Sequence, residues 1–244
     1  MLSIIVPAHN EERLLGPTLD ALKRAAATID EPWEIVVVDD ASTDCTVEIA
    51  LAYGATVVPV AFRQIAATRN AGAKAARGDK LIFVDADTVV SAAAVRGAVR
   101  AMQNGAVGGG CAFRFDGGLP FYGRMIQAAA TPLYRLFRLA SGCFLFCTRE
   151  AFMAVGGFDE TLFAAEEATM SQALKRYGRF VVLRASVTTS GRKLRTHSIG
   201  EVFSILGAMA RAGPNAFRKR EGLDVWYGRR RDDPYADPSA LPVD

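Results

Sequence analysis

Four short apolar runs, rich in β-branched residues and separated by helix-like stretches, constrain this chain most: "LSIIVP", "EIVVVDD", "ATVVPV" and "KLIFVDAD". A strand that is apolar on both faces needs cover on both, and strands of that kind joined by crossover helices build a parallel sheet. Between the first two runs, Leu14, Leu15, Leu19, Leu22 and Ala26 recur at helical spacing, with Glu11, Glu12, Arg13, Lys23 and Arg24 mainly off that stripe. A second helix is expected from Asp44 to Tyr53, stopped by Gly54, and a third near Ala66 to Ala76.

After Asp87 the rhythm changes. A helix from about Ser91 to Gln103 leads into glycine-rich "GAVGGGCAFRF", then into a long amphipathic segment carrying Leu119, Phe121, Met125, Ile126, Leu133, Leu136 and Phe137. The strand "GCFLFCT", the helices "REAFMAVGG" and "EEATMSQALKRYG", and the strand "RFVVLR" follow. With half of its 244 residues hydrophobic and 23% charged, the chain can bury a core. A single α/β domain is expected over residues 1–227, with a proline-rich, polar and loose tail at 228–244.

A formal net charge of +3 gives no global field for nucleic acid. The local run "RKREGLDVWYGRRR", Arg218 to Arg231, is either a solvated face or a patch for an anionic membrane surface. Cys45, Cys111, Cys143 and Cys147 match neither a disulfide framework nor a paired zinc site, so a reducing cytoplasm is expected. "MLSIIVPAHNEE" lacks a basic n-region and a cleavage site, which suits a first strand. No run is long enough to span a bilayer. "IGEVFSILGAMARAG", Ile199 to Gly213, and the amphipathic segment before Gly142 are each either packed helices or helices lying on a membrane.

In open α/β sheets ligands bind beyond the carboxyl ends of the strands, and here those ends are polar: Pro7 to Glu12, Asp39 to Ser42, and Asp85-Ala86-Asp87. Asp85 and Asp87, two apart on one strand, face the same side. They are either helix caps before Ser91 or oxygen ligands for a hard divalent ion. The GxGxxG and GxxxxGK[ST] phosphate loops are absent, which disfavours a Rossmann dinucleotide fold and a P-loop. "ATRNAGAKAARGD" then offers basic and small residues to a ligand, or is simply an alanine-rich helix with exposed charges.

Taken in order, "IIVPAHNEE", "IVVVDDASTD", "ATRNAGAKAARGD", "LIFVDADT" and "VGGFDE" followed by "AAEE" resemble the family 2 glycosyltransferases across roughly residues 2–190. The resemblance implies the GT-A fold, a central mostly parallel mixed sheet with helices on both faces. It also implies a donor part at about 1–113 and an acceptor part at about 114–213.

That likeness implies an inverting, metal-dependent transfer from a UDP- or GDP-sugar to an acceptor hydroxyl, in cell-envelope polysaccharide or glycolipid synthesis. Pro7, Ala8, Asn10, Glu11 and Asp39 would hold nucleobase and ribose. Arg69, Asn70 and Gly72 would approach ribose or diphosphate. Asp85 and Asp87, with Ala86 between them, would hold Mn²⁺ or Mg²⁺, and His197 is a candidate third ligand. Gly156, Gly157 and Phe158 would shape the pocket, while Arg192 and Lys193 would neutralise the leaving group. Where the family usually has Glu-Asp this chain has Glu166-Glu167, so Glu167 takes the base role and Glu166 is the alternative. A lipid-linked acceptor and an inner-membrane-face location are compatible with the amphipathic segments. Nucleotidyl transfer and non-catalytic sugar-nucleotide binding are the rival readings.

Overall fold

The structure, a computed structural model, describes residues 1–128, 140–198, 200–201, 217–218, 220, 223 and 233. The four apolar runs form β1 (Leu2–Ala8), β2 (Trp33–Asp40), β3 (Thr56–Val60) and β4 (Lys80–Val84). They are joined by α1 (Leu15–Ala26), α2 (Thr46–Ala52) and α3 (Ile65–Ala75). Beyond them lie β5 (Thr88–Val89), α4 (Ala92–Gln103), β6 (Gly108–Phe115), β7 (Phe144–Thr148), α5 (Arg149–Ala154), α6 (Glu166–Tyr177), β8 (Phe180–Thr189) and α7 (Arg192–Thr196).

The strands make one sheet in the order β3-β2-β1-β4-β7-β6-β8-β5. β1, β2, β3 and β4 pair in parallel, β7 runs antiparallel to both β4 and β6, and β5 runs antiparallel to β8. Alternating side chains feed two cores. Ile4, Val6, Ile82 and Val84 pack with Leu15, Leu19, Leu22, Val95 and Val99 of α1 and α4. On the other face Ile5, Val36, Val38 and Phe83 pack with Ala66, Ala73, Phe152, Met170 and Leu174 of α3, α5 and α6. This alternation is why strands apolar on both faces were needed.

The chain turns from one side of β1 to the other between β3 and β4, so the carboxyl ends of β1 and β4 flank the switch point where a ligand cleft opens. β4 stops at Val84, and the Thr88 N–H closes a turn on the Asp85 carbonyl at 3.1 Å. The cap of α4 is Ser91, whose Oγ accepts the Ala94 N–H at 3.2 Å. Neither Asp85 nor Asp87 is therefore spent on capping that helix.

Two strands depart from the sequence expectation. The glycine-rich run is β6, where a Cβ on Gly109 would stand 2.0 Å from the Val181 carbonyl and one on Gly110 would stand 2.6 Å from Ala140 Cβ. "RFVVLR" continues to Thr189 through a register shift, opposite Cys111/Ala112, that leaves Arg184 and Ala185 out of the ladder. Thr188 and Thr189 then pair with Val89 and Thr88 beside Asp87.

Of the amphipathic segment, 121–128 is helical, and 129–139 lies outside the described residues. Gly200 and Glu201 are helical, while most of Ile199 to Gly213 lies outside the described residues too. Within the tail only Asp233 is described; it is buried against Arg195, with Nη2 and Oδ2 at 2.6 Å. Among the described residues no helix is long and apolar enough to cross a membrane.

Candidate active site

The strand ends build a cleft lined by Pro7, Ala8, His9, Glu11, Asp40, Arg63, Gln64, Ile65, Thr68, Asp85, Ala86, Asp87 and Lys193. It is open to solvent on one side, with a volume of about 130 Å³. β1 contributes the first residues because Pro7 and Ala8 end a strand paired on both edges, and Asn10 then takes a left-handed φ of 51° that turns the chain out of the sheet. Asn10 Oδ1 accepts the Thr43 N–H at 2.8 Å, so this side chain ties two loops together. Glu11 is buried and held by Arg192 across 2.9 Å and 3.2 Å, which joins the β1 loop to α7.

Between the aspartates of β2, Asp40 lines the cleft, and Asp39 turns back to accept the Ser42 N–H at 3.3 Å. Asp40 itself receives the N–H groups of Arg63 and Gln64 and the Thr68 hydroxyl, at 2.8, 3.2 and 3.1 Å. Asp40, to which the resemblance gave no ligand contact, is the aspartate of the pair that lines the cleft.

Asp85 and Asp87 both face the cleft, and burial together with the neighbouring Asp87 charge raises the Asp85 carboxyl despite the opposing pull of Arg69. Asp87 receives the Thr189 hydroxyl at 3.4 Å and lies 4.0 Å from Arg192. The donor set is oxygen only, and the repulsion between the two carboxylates is what a hard cation offsets, so these residues fit a divalent ion completed by ligand or solvent oxygens. Among the described residues no group of three His, Cys, Asp or Glu side chains converges on one point. His197 does not join the pair: its Nδ1 sits 3.0 Å from the Lys193 carbonyl, and it does not line the cleft.

Arg69 lies at the back of the site and is 2% exposed. Its guanidinium donates to Glu166 at 2.6 Å, to Asp85 at 2.8 Å and to the Gly142 carbonyl at 2.9 Å, and its carbon lies 5.4 Å from the Phe158 ring centre. The resemblance placed Arg69 against ribose or diphosphate, but the structure commits it to carboxylates. Asn70 is likewise committed, with Nδ2 donating to the Phe158 carbonyl at 2.9 Å and Oδ1 accepting the Phe158 N–H at 2.9 Å. Gly72 lies under the sheet, where a Cβ would stand 2.4 Å from Ile5 Cγ2 and 2.7 Å from Val38 Cγ2, so it is a packing glycine and not a phosphate approach.

Gly156 and Gly157 take φ of 84° and 75°, a turn open to glycine, and Phe158 behind them is 2% exposed and edge-on to Phe83 at 5.0 Å. That loop supports the site from beneath without lining the cleft. Ala165 at φ 61° then opens α6 with Glu166 and Glu167 in its first turn. Glu166 is buried on Arg69, whereas Glu167 stands beside Gly142, whose Cβ position lies 3.5 Å from Glu167 Cδ. Burial and the Glu166 charge push the Glu167 carboxyl up to about 8, against the pull of Arg69. A carboxyl so raised is suited to take a proton near neutral pH.

The sequence model described as "Glycosyl transferase family 2" matches residues 3–159, more than half of the chain. The chain belongs to glycosyl transferase family 2. Validoxylamine A glucosyltransferase of Streptomyces hygroscopicus subsp. limoneus is 31% identical over 48% of the chain and 27% of its own length. Dolichyl-phosphate β-glucosyltransferase of Drosophila melanogaster is 39% identical over 35% of the chain and 30% of its own length. The matches thus span under a third of either relative. A mannosyltransferase from Pyrobaculum calidifontis, solved with GDP-Man and Mn²⁺, superposes with a TM-score of 0.66 at 21% identity, over 93% of this chain and 68% of that one. The family 2 chain therefore has the GT-A fold that its sheet order and two-sided helical cover indicate.

Proposed function

We propose that this chain is an inverting glycosyltransferase that moves a sugar from a UDP- or GDP-sugar to an acceptor hydroxyl, with Asp85 and Asp87 holding a Mn²⁺ or Mg²⁺ ion. The reading is carried by one observation: Asp85, Asp87 and Lys193 line a single cleft at the switch point, while the raised carboxyl of Glu167 stands beside Gly142 and within the field of Asp85. Nucleobase and ribose would enter over Pro7, Ala8, Glu11 and Asp40, with the sugar directed toward the mouth of the cleft.

Glu167 takes the proton of the acceptor hydroxyl as that oxygen attacks the anomeric carbon from the side opposite the diphosphate. One displacement inverts that centre. A divalent ion held by Asp85 and Asp87 would supply positive charge toward the departing diphosphate. Lys193 adds a cationic side chain to the same cleft, and Arg192 keeps Glu11 and α7 in place. Glu166 serves Arg69 and leaves the base role to its neighbour.

The name of the Drosophila relative, a dolichyl-phosphate glucosyltransferase, supports a lipid-linked acceptor. On that reading the chain would work in glycolipid or cell-envelope polysaccharide synthesis and meet its acceptor at the inner face of a membrane. The test is release of nucleoside diphosphate from a panel of nucleotide sugars with Mn²⁺. Release is expected from the wild type and strongly suppressed by Asp87→Ala and by Glu167→Gln, and turnover that survives both substitutions would sink the reading.

A further inference from the structure

A second cavity, of about 510 Å³, opens between the β6–β8 pair and the helical run at 121–128, and shares no lining residue with the donor cleft. Arg114 of β6, Arg124 of the helical run and Arg184 of β8 converge on it, with Ser186 and Gln127 beside them. Arg184 belongs to the stretch that the register shift frees from the ladder. Among the described residues no carboxylate lines the cavity, and none of the three guanidiniums has a hydrogen-bond or ion-pair partner.

Three unpaired cations around one concavity repel one another, and a bound anion removes that cost. Guanidinium forks suit a phosphate, which offers several oxygens to planar paired donors, and Ser186 and Gln127 add neutral polar contacts. The helical run that carries Arg124 also bears bare apolar side chains: Phe121 and Met125, one turn apart, are 78% and 58% exposed. A phosphate site next to bare apolar side chains matches an amphiphile: charged head in the cavity, chain along Phe121 and Met125.

We propose that this cavity seats the headgroup phosphate of an anionic membrane lipid, with Phe121 and Met125 entering the boundary of the acyl layer. The inference rests on the membrane contact proposed above and gives it a place, distinct from the basic run at Arg218 to Arg231.

The experiment is co-sedimentation of the full chain with vesicles of phosphatidylcholine alone or mixed with phosphatidylglycerol, at several salt concentrations. Binding is expected to the mixed vesicles and to weaken with salt. At about 1 kcal/mol for each surface cation, Arg114→Gln should weaken it about fivefold and the triple change with Arg124→Gln and Arg184→Gln about a hundredfold. Phe121→Ser with Met125→Ser should weaken what remains at high salt. If the triple variant binds like wild type while Arg229→Gln, Arg230→Gln and Arg231→Gln together abolish binding, this site is overturned and the membrane contact stands. Absence of any wild-type binding overturns both. Inorganic phosphate is the second arm: a thermal shift that needs the three arginines, without vesicle binding, would assign the cavity to a soluble anion and overturn the lipid.

Discussion

Arg69 Nη1 donates to Glu166 Oε1 at 2.6 Å, and through this one contact the two adjacent glutamates of α6 become unequal. The same guanidinium reaches Asp85 at 2.8 Å, so a single buried cation sits between the aspartate pair and the start of α6. Glu166 is fixed as its counter-ion, which in the proposed mechanism leaves Glu167 to exchange protons. Glu167→Gln should lower kcat by about 10²–10⁴, the usual range for removing a general base. Glu166→Gln keeps an acceptor for Arg69 and should cost much less. The comparison is steady-state nucleoside diphosphate release by both variants, and a larger loss from Glu166→Gln would transfer the base role to it.

Arg69 also carries structural weight. Arg69→Met fills a similar volume but leaves Glu166, 6% exposed at its side chain, without its cation. Breaking a buried pair from one side costs about 3–5 kcal/mol. A drop of that size should appear in the urea midpoint, with a smaller effect when Glu166→Gln is combined with it, since the stranded charge is then gone. An unchanged midpoint for Arg69→Met would refute the clamp.

The raised Glu167 carboxyl gives activity and stability opposite pH trends. Its folded-state pKa, about 8, stands above the reference 4.5, so the folded state retains the proton through that window. The stability this contributes is complete below about 4.5 and is lost as pH climbs through about 8. A base must be deprotonated, so the rate should rise through the same range. Melting temperatures and initial rates measured from about pH 5 to about pH 9 check both. Glu167→Gln should flatten its share of the stability loss, and a rate already level at the acid end would contradict the assignment.

Much of this was legible beforehand for a physical reason: strands covered on both faces must be uniformly apolar, so β1, β2 and β4 stand out, and so do the polar residues at their ends. β6 was not legible, because Gly108 to Gly110 lack strand propensity and are required by the close approach of β7 and β8. β8 was half legible, since its continuation "ASVTT" follows a register shift that no local pattern announces. Within the site, Glu11, Asp85, Asp87 and Lys193, all named from the sequence, line one cleft. Arg69, Asn70 and Gly72 do not meet the cleft, because a short motif on α3 cannot reveal whether its side chains face a ligand or a partner 97 residues away, as Arg69 faces Glu166.

The last relationship lies at the edge of the cleft. The Arg195 side chain is 3% exposed, donates Nη2 to Asp233 Oδ2 at 2.6 Å and Nη1 to Asp116 Oδ1 at 2.9 Å, and Asp116 also accepts the Gly191 N–H at 2.6 Å. These contacts anchor α7 from both sides, and α7 carries Arg192 on Glu11 and Lys193 on the cleft. Asp233→Ala removes one anchor and leaves Asp116 to hold Arg195, so the cost should be about 1–3 kcal/mol, that of a buried hydrogen-bonded group losing one partner. The chemistry at Glu167 is untouched, while Lys193 is held less firmly over the cleft. KM for the nucleotide sugar should therefore rise several-fold with kcat nearly unchanged, and the urea midpoint should fall modestly. A loss confined to kcat would show that α7 acts on the reacting centre itself, and unchanged values of both constants would show that Asp233 contributes to packing alone.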